Sequence, residues 1–213
     1  MRKSLVFVFF GVTTLAIGQT GKAVDYFPLN QVALSESVFS RAMQTDKDYI
    51  LSMDADRLLA PYLKEAGINP KKSNYPNWEN TGLDGHVGGH YITALALMYA
   101  STGDKKVKQR LDYMIDELER CQNLSGNGYL SGVPNGKKIW QEIAEGNIRA
   151  SGFGLNDRWV PLYNIHKTYS GLRDAYWFGE SEKAKKMLIR LTDWMATEVS
   201  KLSAAQIQDM LRS

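Results

Sequence analysis

The feature that most limits what this chain can fold into is a doubled pattern of helical runs. His90 opens a run that is apolar nearly all round (Tyr91-Ile92-Thr93-Ala94-Leu95-Ala96-Leu97-Met98-Tyr99-Ala100), and Gly103 ends it. His166 and Gly179 bracket a second such run, and in both cases the histidine and glycine lie thirteen residues apart. An amphipathic run follows each. In the first, Val107, Leu111, Met114, Ile115, Leu118 and Cys121 recur at helical spacing. Asp112-Tyr113-Met114 there is answered by Asp193-Trp194-Met195 in the later copy, and the turn joining the two helices differs in length between the units. A helix apolar on most sides suits burial, and an amphipathic one suits sheathing it. Repeated hairpins of this kind stack side by side and bury a continuous face. No strand pattern of any length appears. The expected fold class is all-α, as an α/α toroid or an α-solenoid.

Other runs extend the array. A helix is expected over 35–52 with Ser35 as its N-cap, and a short one opened by Asp54, carrying Leu58, Leu59 and Leu63 and stopped by Gly67. Another fits 138–145, and Ser203-Ala204-Ala205-Gln206 has the spacing of a capping box. Between them lie a polar loop over 69–85, a turn-rich stretch over 125–136 in which Tyr129-Leu130 suits a small hairpin, and a Gly/Asn loop over 146–159. A closed toroid of paired helices needs several more helices, so the sequence reads as the front part of something longer.

The N-terminus reads as a targeting segment. Arg2 and Lys3 precede an apolar run over 5–17, and Ala16-Ile17-Gly18 supplies a small-x-small cleavage site. That run is short of the ~20 residues that span a bilayer. The expected organisation is a signal peptide over 1–18, an extended segment over 19–34, and a helical domain over 35–213. The protein is then exported, to the periplasm or outside the cell, with no membrane attachment after cleavage. Net charge is only +3 and the basic residues are dispersed, which argues against a nucleic-acid partner. Cys121, the single cysteine, falls on the apolar side of its helical pattern and reads as a small buried hydrophobe.

Chemistry-bearing residues concentrate in the loops before the apolar runs. Residues 77–91 read Asn-Trp-Glu-Asn-Thr-Gly-Leu-Asp-Gly-His-Val-Gly-Gly-His-Tyr. Their glycines form neither Gly-x-Gly-x-x-Gly nor Gly-Lys-Ser/Thr, so a phosphate cradle is a poor reading. His86 and His90 are four apart, a spacing that can bind zinc on a helix. Gly88 and Gly89 lie between them, and the glutamate of His-Glu-x-x-His is missing, so polar substrate contacts are preferred and no metal site is assigned. On this reading His86 precedes the helix and His90 sits in its first turn. Glu79 and Asp84 are either a carboxylate pair of the kind glycoside hydrolysis uses or caps of a helix N-terminus. Tyr75, Trp78, Tyr129 and Trp159 lie beside amide, carboxylate and imidazole groups, which suits a sugar with its apolar C–H faces and polar edges. His166 is either a proton carrier or a satisfied structural histidine.

Three stretches carry a resemblance to a known family. They are the 77–91 motif, Asn-Gly-Tyr-Leu-Ser-Gly-Val-Pro at 127–134, and Trp-Val-Pro-Leu-Tyr-Asn-Ile-His-Lys-Thr-Tyr-Ser-Gly-Leu at 159–172. Together they resemble the β-L-arabinofuranosidase-like glycoside hydrolases, exported bacterial enzymes grouped around glycoside hydrolase families 127 and 146. The resemblance implies an (α/α)6 barrel with its active site at the mouth, so the expected fold is a partial (α/α)6 toroid. It implies an arabinose-containing glycan as partner, and a cysteine thiolate nucleophile beside a zinc ion held by further cysteines and a glutamate. The motifs for that centre are missing here, and Cys121 matches none of them. The implied catalytic residues are expected beyond Ser213, and the chain alone is expected to be inactive. What carries over is a substrate-contact role among Trp78, Glu79, His86, His90, Tyr129, Trp159 and His166. Two further readings stay open: a non-catalytic carbohydrate-binding half-toroid, and an α-solenoid interaction module.

Overall fold

The computed structural model describes residues 26–212, so the expected signal peptide lies outside the described residues. From Tyr26 the chain runs through a 3-10 turn, Leu29–Gln31, into α1 (Val38–Ser52). The N-cap of α1 is Ser37 rather than Ser35, because Ser37 and Ser40 close a reciprocal capping box. Asp54 caps α2 (Ala55–Glu65) by accepting from the Asp56 N–H, as its sequence position suggests. The 69–85 loop contains one 3-10 turn, Asn77–Asn80.

The doubled pattern is realised as two helical hairpins, α3 (His86–Thr102) with α4 (Lys105–Ser125), and α6 (Pro161–Trp177) with α7 (Glu182–Val199). The buried positions of α4 are Val107, Leu111, Met114, Ile115, Leu118, Cys121 and Gln122, the predicted stripe extended by one residue. Fully burying one such aliphatic side chain contributes about 1.5–3 kcal/mol, which is what drives the amphipathic helices onto their partners. α5 (Gly136–Ala144) packs against α7, and α8 (Ala204–Met210) opens on the capping box at Ser203. Among the described residues the molecule is all-α apart from a three-stranded antiparallel ribbon, β1 (Ala150–Ser151), β2 (Gly154–Leu155) and β3 (Arg158–Trp159). Tyr129 and Leu130 form no strand; both are buried coil. No described helix is long and apolar enough to cross a membrane.

The inner helices α3 and α6 are in the most intimate contact. A Cβ on Gly171 would lie 2.8 Å from the Gly89 carbonyl oxygen and 3.1 Å from Ile92 Cβ, and one on Gly89 would collide with the Lys167 carbonyl. Farther along, Thr93 donates to Asp174 at 2.8 Å. Contacts thus advance in the same direction on both helices, so α3 and α6 run parallel and present their N-termini at one end of the layer. This positions the candidate site.

Candidate functional site

α3 begins earlier than its apolar run suggests. His86 is its first residue and Gly88 and Gly89 lie inside it, despite the roughly 1 kcal/mol that glycine costs in a helix. Two local causes outweigh that cost. The first is packing: beside the Gly89 crossing, a Cβ on Gly88 would lie 3.1 Å from the Leu58 carbonyl oxygen. The second is a cap supplied by Glu79, reaching back from the 3-10 turn. Its Oε2 accepts from Gly85 N–H and its Oε1 from Val87 N–H, both at 3.0 Å. The N-cap itself, Gly85, has no side chain and sits at φ 92°, a left-handed conformation that favours glycine. A carboxylate there also meets the positive end of the helix dipole.

Glu79 Oε1 lies 2.6 Å from His86 Nδ1, and the same nitrogen is 2.7 Å from the Leu83 carbonyl oxygen. Both neighbours are acceptors, so Nδ1 carries the proton. Nε2 then points away from this anchor, and among the described residues it makes no hydrogen bond. His86 is 5% exposed and Glu79 3%. Burial opposes charge on the imidazole, but the Glu79 carboxylate and the Leu83 carbonyl outweigh it, and the pKa is raised above its ordinary 6.5. His90 moves the other way: burial lowers its pKa, assisted by Lys167, His86 and His166. Two imidazoles 6.2 Å apart are therefore biased toward different protonation states.

The second hairpin supplies the facing wall. Tyr163 Oη is 3.3 Å from His90 Nε2, the Tyr163 ring is 6.2 Å from that of His86, and Lys167 Nζ lies 4.5 Å from the Tyr163 ring centre. Asn164, fully buried, donates to the carbonyls of Leu83 and Asp84 at 3.1 and 2.6 Å. Tyr62 donates to the Gly85 carbonyl at 2.7 Å, so Thr168, 3.0 Å away, must donate to Tyr62. The loop that opens α3 is thereby pinned from α6 and from α2. Trp78 stands 6.3 Å from His86 and 6.3 Å from Trp159, edge to face with the latter. A cleft of about 650 Å3 runs past this group, lined by Met53, Tyr75, Trp78, Glu79, His86 and Val87. His90 borders an apolar cleft of about 620 Å3 between α1 and α3.

Of the seven candidates, the structure gathers Trp78, Glu79, His86, His90 and Trp159. His166 is exposed on α6, near enough to act electrostatically on His90. Tyr129 is not brought in: it is buried against Trp194, with its hydroxyl 3.4 Å from Glu65 Oε1. Glu79 takes the capping alternative, whereas Asp84 caps no helix. Asp84 accepts from Gly82 N–H at 2.9 Å and from Asn74 at 3.0 Å, so its oxygens are held within the loop. Tyr163, Asn164 and Lys167 were not singled out from the sequence. Tyr163 lies three residues before His166 and Lys167 four after Tyr163, the spacing of one helix face, which is the signal that could have found these two; Asn164 lies off that face, buried against the loop.

Among the described residues no three His, Cys, Asp or Glu side chains converge as a metal-ligand set. The Cys121 thiol is buried on α4, and burial pushes its pKa up to about 12, the reverse of an activated thiolate. The zinc–thiolate centre that the resemblance implies does not fit these residues, and no step is routed through it. A family model described as the β-L-arabinofuranosidase GH127 catalytic domain matches residues 31–213. No curated protein matches the chain.

Proposed function

The chain belongs to the β-L-arabinofuranosidase family of the GH127 catalytic domain, and on that premise we propose that the mouth of α3 and α6 binds the terminal L-arabinofuranose of a plant-type glycan. The observation that carries the reading is the Glu79–His86 pair. It fixes one imidazole in place, with the Nδ1 proton held by Glu79 and Leu83 and the residue lining the cleft. An immobilised imidazole suits a sugar hydroxyl, because its orientation is set before binding. His90, biased toward the neutral form, supplies a group that either donates or accepts. Trp78 offers an aromatic face for the apolar side of the furanose. Glu79 is a positioning residue: both its oxygens are occupied by the backbone and by His86.

On this reading the two hairpins are neighbouring units of an α/α toroid, and their loops form the substrate-facing wall of an exported glycosidase. The residues described bind and orient the sugar. The groups that break the glycosidic bond are not assigned among them.

Titration calorimetry with methyl β-L-arabinofuranoside tests the proposal on the full chain. Wild type is expected to bind, and His86→Ala to weaken binding by up to about tenfold, the worth of one hydrogen bond. Absence of binding by wild type, or equal binding by the variant, contradicts it.

A further inference from the structure

The face that α6 buries at the mouth is polar. Asn164 and Thr168 stand one turn apart, and both are fully buried. Both serve the loop that opens α3, Asn164 directly and Thr168 through Tyr62. Asn164 does so at a cost. Its two hydrogen-bond partners are carbonyl oxygens, so its amide nitrogen must face them and its Oδ1 must face away. Among the described residues, Asn164 Oδ1 is the one buried side-chain polar atom without a hydrogen-bond partner. Buried polar atoms are rarely left so, because each forfeits the bonds it made to water. An apolar side chain of similar shape, such as leucine, would avoid that loss.

What the amide holds is the acceptor that anchors His86. The Leu83 carbonyl receives three donors: the His86 N–H at 3.3 Å, His86 Nδ1 at 2.7 Å and Asn164 Nδ2 at 3.1 Å. The next carbonyl, that of Asp84, receives Asn164 Nδ2 at 2.6 Å. One nitrogen with two N–H groups thus fixes two successive peptide planes, and the first of them carries the oxygen set against the imidazole. Aspartate there would set oxygen against oxygen, and serine would donate only once. Glu79 holds the same Nδ1 from within the first hairpin's own entrance, whereas Asn164 acts on it from the second hairpin.

We infer that Asn164 is a positioning residue: from the second hairpin it orients the Leu83 carbonyl, and through that carbonyl the His86 ring of the first, so that the imidazole meets its ligand in one pose. The amide is kept for the site rather than for the fold. Where it concerns sugar binding the inference rests on the reading above; the alignment of the ring stands apart from it. Glu79 on the 3-10 turn, His90 on α3 and Lys167 on α6 are the charged and titratable groups that also act on His86, and a substitution at Asn164 removes none of them.

The test is a double-mutant cycle of Asn164→Leu with His86→Ala on the full chain. It is read by calorimetry with methyl β-L-arabinofuranoside and by 15N NMR titration of the His86 ring. Asn164→Leu keeps the side-chain shape and removes the unpartnered oxygen, so its melt is expected to stay cooperative and near that of wild type. The His86 midpoint, raised in wild type, is expected to fall toward 6.5, because the Leu83 carbonyl is no longer held against Nδ1. Sugar binding is expected to weaken by up to about tenfold, one hydrogen bond's worth. It is expected to weaken no further when Asn164→Leu is added to His86→Ala. Thr168→Val, on the same face, is expected to leave the midpoint unchanged, because Tyr62 keeps its own proton for the Gly85 carbonyl. An unmoved midpoint in Asn164→Leu, or a binding loss of equal size with and without His86, overturns the inference. If wild type binds no sugar, the sugar-site reading fails and the midpoint alone decides this one. Should Asn164→Leu not fold, wild type still decides: the Asn164 side-chain NH2 resonances are expected to titrate with His86, and signals flat across that midpoint overturn the inference.

Discussion

The two helical hairpins share a plan and differ at their entrances. α3 enters through a tightly specified loop: Glu79 caps it, Glu79 and Leu83 hold His86, and Tyr62 and Asn164 fix the carbonyls at 83–85. α6 enters through a ribbon, with Val160 at φ 35°, Pro161 as its first residue, and no side-chain cap. Its histidine, His166, is exposed and makes no hydrogen bond among the described residues, whereas His86 is buried and anchored. The scaffold is thus repeated while the chemistry is divided. The first unit supplies an anchored imidazole, and the second supplies aromatic and hydroxyl groups around it.

The sharpest way to break this contrast is to remove the anchor. Glu79→Ala leaves a buried imidazole without its counter-ion and two backbone N–H groups without acceptors, and is expected to cost about 3–5 kcal/mol in chemical denaturation. A loss below about 1 kcal/mol would mean that the first entrance is no more specified than the second.

The pH dependence sharpens the comparison further. The folded pKa of His86 is raised above 6.5, so the stability it contributes is fully present below that value and is lost as pH rises through the folded pKa. The stability gap between wild type and Glu79→Gln is therefore expected to be widest just below pH 6.5 and to narrow as pH rises through the raised folded pKa. A gap that is flat or widens with pH would contradict the assignment of the proton. The smallest effect belongs to the second unit: His166→Ala is expected to change stability by less than about 0.5 kcal/mol, as exposed side chains do.

The parts legible from sequence were those set by periodicity and short-range caps. The α4 stripe from Val107 to Cys121, the Asp54 cap and the Ser203 capping box all depend on residues a few positions apart. The start of α3 was hidden because the cap comes from Glu79, seven residues upstream of His86, and the glycines that count against a helix are required by close packing across to α6. The ribbon over 150–159 was hidden because its strands are two residues each, too short for an alternating pattern, and its turns rest on left-handed residues such as Phe153. Tyr129 carried a motif position and an aromatic ring, but its location depends on the tertiary packing of Trp194 and Glu65. Within the site, the sequence named the imidazoles and indoles. It could not tell that Glu79 caps α3 and Asp84 braces the loop, because that depends on distances of a few ångströms.

The central claim is that His86, fixed by Glu79, is the group that meets the sugar. The most direct measurement follows the ring 15N and 1H resonances of His86, His90 and His166 by NMR as methyl β-L-arabinofuranoside is added. The account predicts a saturable shift at His86 Nε2, a smaller one at His90, and retention of the Nδ1 proton on His86 throughout. Ligand binding that leaves the His86 ring unmoved, or that shifts His166 alone, would contradict it.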